Sequence, residues 1–426
     1  MSSRIPTPRQ APDLHSKGAA AASAPGRVNE LRLLLILSAL MSFASVSTDI
    51  YLPALPTIGR ALHATSAGIE LTFSAFLVGF SLGQLLWGPI SDRTGRRGPI
   101  AIGMVLFVIG SAGCAMSTTV TQMMAWRVVQ ALGACVGPVL SRAMVRDLYG
   151  QEQSARMLST LILIMGVAPL LGPLIGGQIL LHWSWQGIFW TLSGVGALTL
   201  MSLLALPESL PAERRSTAPL RQTFTGYLGL ARDARLMGYA LSGGFFYGGA
   251  YAFIVATPFV YIEYYGVSPQ FYGWLFGLNI AGMMAANFIN GRLLRRFGSE
   301  RLFRLGTWIL ALSGVVLALN AWFGWGGLLG LVVPIFFYMS TNGLIVANSV
   351  AGALASFPHK AGSASSLLGA MHYGSGILTA AMVGWFADGT PWTMAWIMCL
   401  AGLGSLATST ISTRNRTCQR LAQHTV

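Results

Sequence analysis

Apolar runs of eighteen residues or more recur along this chain, separated by short clusters of glycine, proline and charge. A run of that length covers the roughly 30 Å hydrocarbon layer of a bilayer as one helix. The pattern predicts twelve such helices, over about 33–52, 69–91, 99–117, 121–146, 155–181 and 186–206 in the first half. The second half places them at about 237–262, 270–291, 302–322, 326–354, 363–386 and 392–412. Between the two sets lies the longest interior stretch that cannot sit in lipid, Pro207 to Arg235, which carries Glu213, Arg214, Arg215 and Arg221. The halves are nearly equal in length, as an internal duplication makes them. The expected organisation is an all-α membrane protein of two six-helix bundles, 31–206 and 237–412, joined by a polar cytoplasmic linker over 207–236. Residues 1–30, rich in Ala, Ser, Pro and Arg, read as a disordered cytoplasmic arm, and 413–426 as a cytoplasmic tail. The first apolar run is too long for a signal-peptide core and has no small-residue cleavage site after it.

Composition sharpens this picture. Of 426 residues, 54% are hydrophobic and 9% charged, against about a quarter charged in soluble proteins, which excludes a soluble fold. A net charge of +14 invites a nucleic-acid reading, and its placement argues against one. With a cytoplasmic N-terminus, the two termini and the loops after even-numbered helices collect 25 of the 27 Lys and Arg residues; only Arg60 falls on the other side, and Arg127 lies inside a helix. The basic balance is then topology plus contact with anionic lipid of the inner leaflet, and no nucleic acid is expected as a partner. The expected location is a bacterial inner membrane with both termini cytoplasmic. The four cysteines are far apart, with neither a disulfide framework nor a CxxC metal spacing. No phosphate-cradling loop, clustered His and carboxylate, or nucleophile constellation appears, so neither an enzyme nor a metal or organic cofactor is expected.

The loop between the second and third helices reads Gly88-Pro89-Ile90-Ser91-Asp92-Arg93-Thr94-Gly95-Arg96-Arg97-Gly98-Pro99. Its glycines permit a tight turn, and Asp92 at a helix end can pair with Arg93 or Arg96. The order Gly-x-x-x-Asp-Arg-x-Gly-Arg-Arg resembles the loop 2–3 signature of the major facilitator superfamily. A degenerate echo, Gly291-Arg292-Leu293-Leu294-Arg295-Arg296-Phe297-Gly298, stands at the equivalent loop of the second half. The fifth helix carries Gly166, Pro169, Gly172, Pro173, Gly176 and Gly177. Gly172 and Gly176, four apart, bare one face for a close neighbour, while the two prolines bend the helix. The pattern Gly-x-x-x-Gly-Pro-x-x-Gly-Gly resembles the motif of superfamily members that exchange drugs for protons, which implies export. In this reading Gly88, Asp92, Arg93, Gly95, Arg96 and Arg97, with the glycines and prolines of the fifth helix, govern the change between states.

Two charged residues stand where lipid would penalise them. Ser38, Ser42, Ser45 and Asp49 recur at steps of four, three and four, on one face of the first helix. An acid inside a span costs roughly 2.5 to 3.5 kcal/mol unless it meets water or a partner, although Asp49 is also close enough to the span's end to reach the outer interface. Arg127, Gln130, Ala134, Gly137 and Ser141 form a second such stripe, on the fourth helix. Arginine does not shed its charge, so Arg127 needs a partner, and the expected one is Asp49. The segment around it resembles the family's Arg-x-x-Gln-Gly-x-Gly motif, departing at Ala131. That resemblance implies a part in proton transfer for Arg127. Asp49 and Arg127 are thus the proton-coupling candidates, with a proton at Asp49 traded against bound cargo.

Further candidates for the substrate cavity are Ser45, Gln130, Phe246, Tyr247, Tyr251, Asn279, Asn342 and His372, with lipid-facing or interhelical packing the competing reading of the aromatics and asparagines. His372, near mid-span, reads either as a second proton stop or as a packing histidine. Glu263 and Asp388 fall at helix ends and are expected to face water. The runs Thr48-Asp49-Ile50-Tyr51-Leu52-Pro53-Ala54-Leu55-Pro56, Arg146-Asp147-Leu148-Tyr149 and Pro258-Phe259-Val260-Tyr261-Ile262-Glu263 resemble the bicyclomycin-resistance (Bcr/CflA) branch of drug:proton antiporters. The resemblance implies a monomer exporting small antibacterials such as bicyclomycin or sulfonamides, powered by the proton gradient. Proton-coupled transport of a small metabolite such as an amino acid is the alternative, and a membrane-embedded enzyme the remote one.

Overall fold

In the computed structural model the described residues are 30–215, 229–354, 357 and 361–423. Residues 1–29 of the expected arm, 216–228 of the linker and 424–426 of the tail lie outside them. The first half contains α1 (Glu30–Asp49), α2 (Ser66–Thr94), α3 (Arg97–Ala115), α4 (Val120–Ala134 and Val136–Leu148), α5 (Gln151–His182) and α6 (Trp185–Ser202). The second contains α7 (Ala234–Pro258, continued by a π-turn Phe259–Tyr264), α8 (Pro269–Phe297), α9 (Ser299–Phe323), α10 (Gly327–Ser340 and Asn342–Leu354), α11 (Ala361–Trp385) and α12 (Trp392–Gln423).

Local chemistry explains the ends. After Asp49 the chain turns into two short helices, Leu52–Ala54 and Leu55–Ala61, each opened by a proline that has no N–H to offer a preceding turn. Thr65 caps α2 by accepting from the Gly68 amide at 3.2 Å, and Asp233 caps α7 by accepting from Leu236 at 2.7 Å. Among the described residues, eleven segments are long and apolar enough to cross a membrane by length and hydropathy, and α8 is not among them. It is nevertheless a helix of 29 residues, and two of its asparagines, Asn279 and Asn290, are buried: Asn348 of α10 donates to Asn290 at 2.9 Å. The first predicted helix starts and stops about three residues early, and the fourth and tenth are each broken once, near Cys135 and Thr341.

Within each half the helices pack in corresponding pairs, α1 on α5 and α3 on α6 in the first, α7 on α11 and α9 on α12 in the second. The halves meet along two seams, α2 against α11 and α5 against α8. The polarity is inverted relative to a soluble bundle: Leu204, Leu378 and Trp385 are exposed while Arg127, Gln130, Asp49 and Glu70 are buried. An apolar exterior around a polar interior is the arrangement a bilayer selects. The chain is a multi-pass membrane protein.

Candidate functional site

Arg127 sits on the third turn of α4, 0% exposed. One guanidinium nitrogen, Nη1, donates to the Ser47 carbonyl of α1 at 3.0 Å and to Gln130 Oε1 at 2.7 Å. The planar group lies between two rings, its Cζ 4.2 Å from the Tyr51 centroid and 4.4 Å from that of Phe76. Gln130 passes the connection to α3 by donating to Ser111 Oγ at 2.8 Å. The expected ion pair with Asp49 is therefore corrected: among the described residues Arg127 is held by a carbonyl, an amide and two π-faces, with no carboxylate. Helix geometry gives the reason. Asp49 follows Ser47 by two residues, about 200° around α1, so the residue beside Arg127 and the acid point to opposite sides.

Asp49 instead faces α5. A Cβ placed on Gly172 would stand 3.0 Å from the Asp49 Cβ, and one on Gly176 would overlap the Ile50 carbonyl, so the two glycines let α5 lie directly on the end of α1. Gly177 meets the start of α8, where a Cβ would stand 3.2 Å from the Pro269 carbonyl. Gly166 faces open space and takes no part in this contact, unlike its neighbours in the motif. Pro169 and Pro173 lie within the continuous helix Gln151–His182. The Asp49 carboxylate is 5% exposed and accepts one side-chain hydrogen bond, from Thr48 at 3.0 Å. It lies within electrostatic reach of the Tyr251, Tyr272 and Tyr373 hydroxyls.

Two of these, Tyr251 and Tyr373, belong to one aromatic cluster, their rings 6.2 Å apart. Tyr247 stacks on His372 at 4.7 Å and neighbours Tyr251 and Tyr373 at 6.1 and 6.3 Å. Phe80 of α2 packs on Tyr373 at 4.4 Å and Phe73 on Tyr251 at 5.9 Å, so the cluster bridges the two halves. Of the cavity candidates the structure thus joins Tyr247, Tyr251 and His372. Ser45 is half-buried on α1, and Asn342 half-buried at the break in α10. Phe246, 1% exposed, packs edge-on to Tyr247 at 5.6 Å and stacks on Tyr338 at 6.3 Å inside the second half, the packing alternative of its sequence reading. Asn279 is likewise buried, donating to the Leu275 carbonyl at 3.0 Å. Two contributors escaped the sequence reading. Tyr373 stands beside His372 in the chain, which was the available signal; Arg142, exposed on α4 and within electrostatic reach of Tyr247 and Tyr373, was counted among the loop cations.

The loop 2–3 signature makes a latch at the opposite end of the bundle. Arg96 donates to Asp92 at 2.6 Å, to Ser91 at 2.7 Å and to Asp147, at the end of α4, at 2.8 Å. Glu208, beyond α6, accepts from the Arg96 and Leu210 amides at 2.8 and 3.0 Å and from Arg97 at 3.2 Å. Gly95 turns with φ of +96°, and a Cβ there would stand 2.7 Å from Glu208 Oε2. Arg93 is half-buried, and Gly88 faces open space. Asp147 and Glu208 were not read as latch partners, because they lie some 50 and 110 residues away along the chain. Partial burial pushes the Glu208 carboxyl up, but hydrogen bonds from the Arg96, Leu210 and Arg97 amides, with Arg215 nearby, outweigh it and hold the group below its ordinary 4.5. Its stabilising contribution is accordingly complete above 4.5 and lost as pH falls through the carboxylate range. Glu208→Gln is expected to lower stability at neutral pH by about 1 kcal/mol, a figure kept small by the group's exposure, and the difference from wild type is expected to vanish in acid. Thermal unfolding of both proteins across pH checks this.

A family model described as Major Facilitator Superfamily matches residues 35–258 and 239–415. The chain is 37% identical over 387 residues to an uncharacterized MFS-type transporter, YdgK, of Bacillus subtilis, covering 90% of this chain and 96% of that one. It is 32% identical over 351 residues to a bicyclomycin resistance protein homolog of Haemophilus influenzae, covering 82% and 88% respectively. Its fold is similar to that of the xylose transporter XylE of E. coli in a partially occluded inward-open conformation, with a TM-score of 0.71 at 16% identity, covering 88% of this chain and 96% of that one. The paired six-helix halves, the Arg96 latch and the buried Arg127 now have one explanation: the chain belongs to the major facilitator superfamily, whose members are membrane transporters and not enzymes.

Proposed function

We infer that this protein is a proton-coupled exporter of small antibacterial compounds, lying in a bacterial inner membrane with both termini cytoplasmic and working by alternating access. The observation that carries the reading is Asp49, 5% exposed, with a single threonine donor and, among the described residues, no cation paired to it, beside an aromatic cluster that spans both halves. A carboxylate so placed is costly until a proton or a cationic group neutralises it, which makes proton and cargo alternatives at one position. The similarity to a protein named for bicyclomycin resistance supports a drug as cargo. The energy suffices: one proton moving inward through 100 mV supplies about 2.3 kcal/mol, and a tenfold drug gradient costs about 1.4 kcal/mol. The Arg96 latch closes the cytoplasmic end of the first half in this scheme, and its making and breaking accompany the change of state.

Everted vesicles with an acid lumen test the reading. They are expected to accumulate bicyclomycin or a sulfonamide and to release it when a protonophore is added. Accumulation only when the gradient is reversed would identify an uptake symporter instead. A zwitterionic metabolite such as an amino acid is the second reading, favoured by one feature: Arg142 and Asp49 present opposite charges to the same tyrosine cluster. Competition by amino acids in the vesicle assay distinguishes the two.

A further inference from the structure

One buried acid takes no part in the site above. Glu70 lies one turn into α2, 3% exposed, and its Oε2 has no hydrogen-bond partner. It stands at the seam between the halves, where a Cβ on Gly384 of α11 would be 3.5 Å from Glu70 Oε2 and 3.3 Å from the Ala67 carbonyl. A cavity of about 40 Å³ opens beside it, lined by Ser66 and Glu70 of the first half and by Phe259, Asp388, Thr390 and Thr393 among residues of the second. At roughly 10 to 15 Å³ per water, that space holds about three molecules bridging to solvent.

Among the described residues, the groups around Glu70 offer it no counter-charge. No Lys, Arg or His lines the cavity. On the short helix Leu55–Ala61, Arg60 is exposed and reaches Thr57 at 3.5 Å; His63 is exposed beyond it. On α4, Arg127 is committed to Ser47 and Gln130. From α7 the lining is Ala256, Phe259 and Val260, with Glu263 exposed further on. From α11 and α12 it is Val383, Thr393 and Met394. The loop between them supplies Asp388 at the cavity mouth, which accepts from the Thr390 amide and hydroxyl at 2.9 and 2.8 Å and from Thr393 at 3.3 Å. Burial pushes Asp388 up slightly, and these hydrogen bonds outweigh it, so its carboxyl stays below the ordinary range and ionised.

A closed seam therefore shuts an acid into an apolar contact between two bodies that must separate once per cycle. We propose that Glu70 is a gate carboxyl that must hold a proton for the outer seam between α2 and α11 to close. The proton comes from the outer water past Asp388, binds one Glu70 oxygen as the seam shuts, and returns to the same water as it reopens. No net charge crosses the membrane at Glu70, and the transported proton stays with Asp49. The consequence is directional: an acid exterior favours closure on that side, and an alkaline exterior holds the seam open. The proposal rests on the proton-coupled reading above, yet its test needs neither drug nor transport.

Spin labels on Ala61→Cys and Tyr264→Cys, both exposed and on opposite halves, report the seam distance of the full chain in nanodiscs. The open-to-closed ratio is expected to change about tenfold per pH unit on the alkaline side of the titration, as for one linked proton, and to lose that dependence in Glu70→Gln. The same shift in Glu70→Gln as in the parent, or no shift in the parent, overturns the proposal. An infrared measurement on the parent alone guards against a misfolded variant: a protonated-carboxyl band must fade over the pH interval in which the seam opens, and a band that does not follow the seam also overturns it. Drug export that fails while the seam still answers to pH through Glu70 removes the exporter reading and leaves the gate.

Discussion

Asp49→Asn is expected to abolish proton-driven drug accumulation while the protein still reaches the membrane in wild-type amounts. Asparagine keeps the shape of the side chain and still accepts from Thr48, which lies 3.0 Å from the carboxylate, so packing against Gly172 is unchanged. What is lost is the ability to exist in two charge states. Without it the cargo cannot displace a proton, and the gradient has nothing to act on. One proton falling through 100 mV sustains an accumulation of about fifty-fold; the variant is expected to equilibrate its drug to a ratio of one. Purified protein in liposomes, with internal pH and drug followed together, reads both quantities. Full proton-linked accumulation by Asp49→Asn would remove that residue from the coupling mechanism. Because the substitution also removes a buried charge that has no paired cation, its thermal stability is expected to match or exceed that of the parent.

Arg127 gives the second large effect, and here two substitutions separate charge from shape. Arg127→Ala leaves the Ser47 carbonyl and Gln130 Oε1 without their donor in a buried place, at about 1 to 3 kcal/mol each, and empties the slot between Tyr51 and Phe76. It is expected to lower the unfolding temperature and to lose transport. Arg127→Lys keeps the positive charge but gives up the flat, two-faced contact with the rings and the forked donor geometry. Near-normal thermal stability with at least tenfold slower export is the expected result, because Arg127 ties the end of α1, and hence the setting of Asp49, to α4 and through Gln130 to α3. Transport by Arg127→Lys at the parental rate would show that charge alone suffices. A double substitution with Asp49→Asn measures how strongly the two residues are linked: with no direct bond between them, coupling in stability passes through the end of α1 that Arg127 holds at the Ser47 carbonyl.

The membrane setting was legible because hydropathy is a local property. Each helix must be apolar over its own length whatever its neighbours are, so eleven segments declare themselves residue by residue. The helix predicted over 270–291, α8, is the least apolar of the twelve, and two of its asparagines are placed by contacts that hydropathy does not register: Asn348 of α10 donates to Asn290, and Asn279 donates to the Leu275 carbonyl. The glycine pair Gly172 and Gly176 was likewise readable as a bare face, since four-residue spacing guarantees a common side. Which helix fills that face was not. Glu70 passed unnoticed because a lone acid early in an apolar run looks like a residue at an interface; the seam with α11 is what buries it.

The sequence by itself determined the helices, their number, the near-duplicate halves, and the signature glycine Gly95 with the arginines around it, since these follow from periodicity, length and the steric freedom of a turn. Only the tertiary structure decided partnerships. It turned Arg127 away from Asp49 toward Tyr51 and Phe76, joined Arg96 to Asp147 and its amide to Glu208, and set Tyr373 beside Tyr247, which stacks on His372. The physical reason is angular: a charged side chain's partner depends on the rotation and separation of whole helices, and a shift of two residues along one helix moves a group about 200° around it.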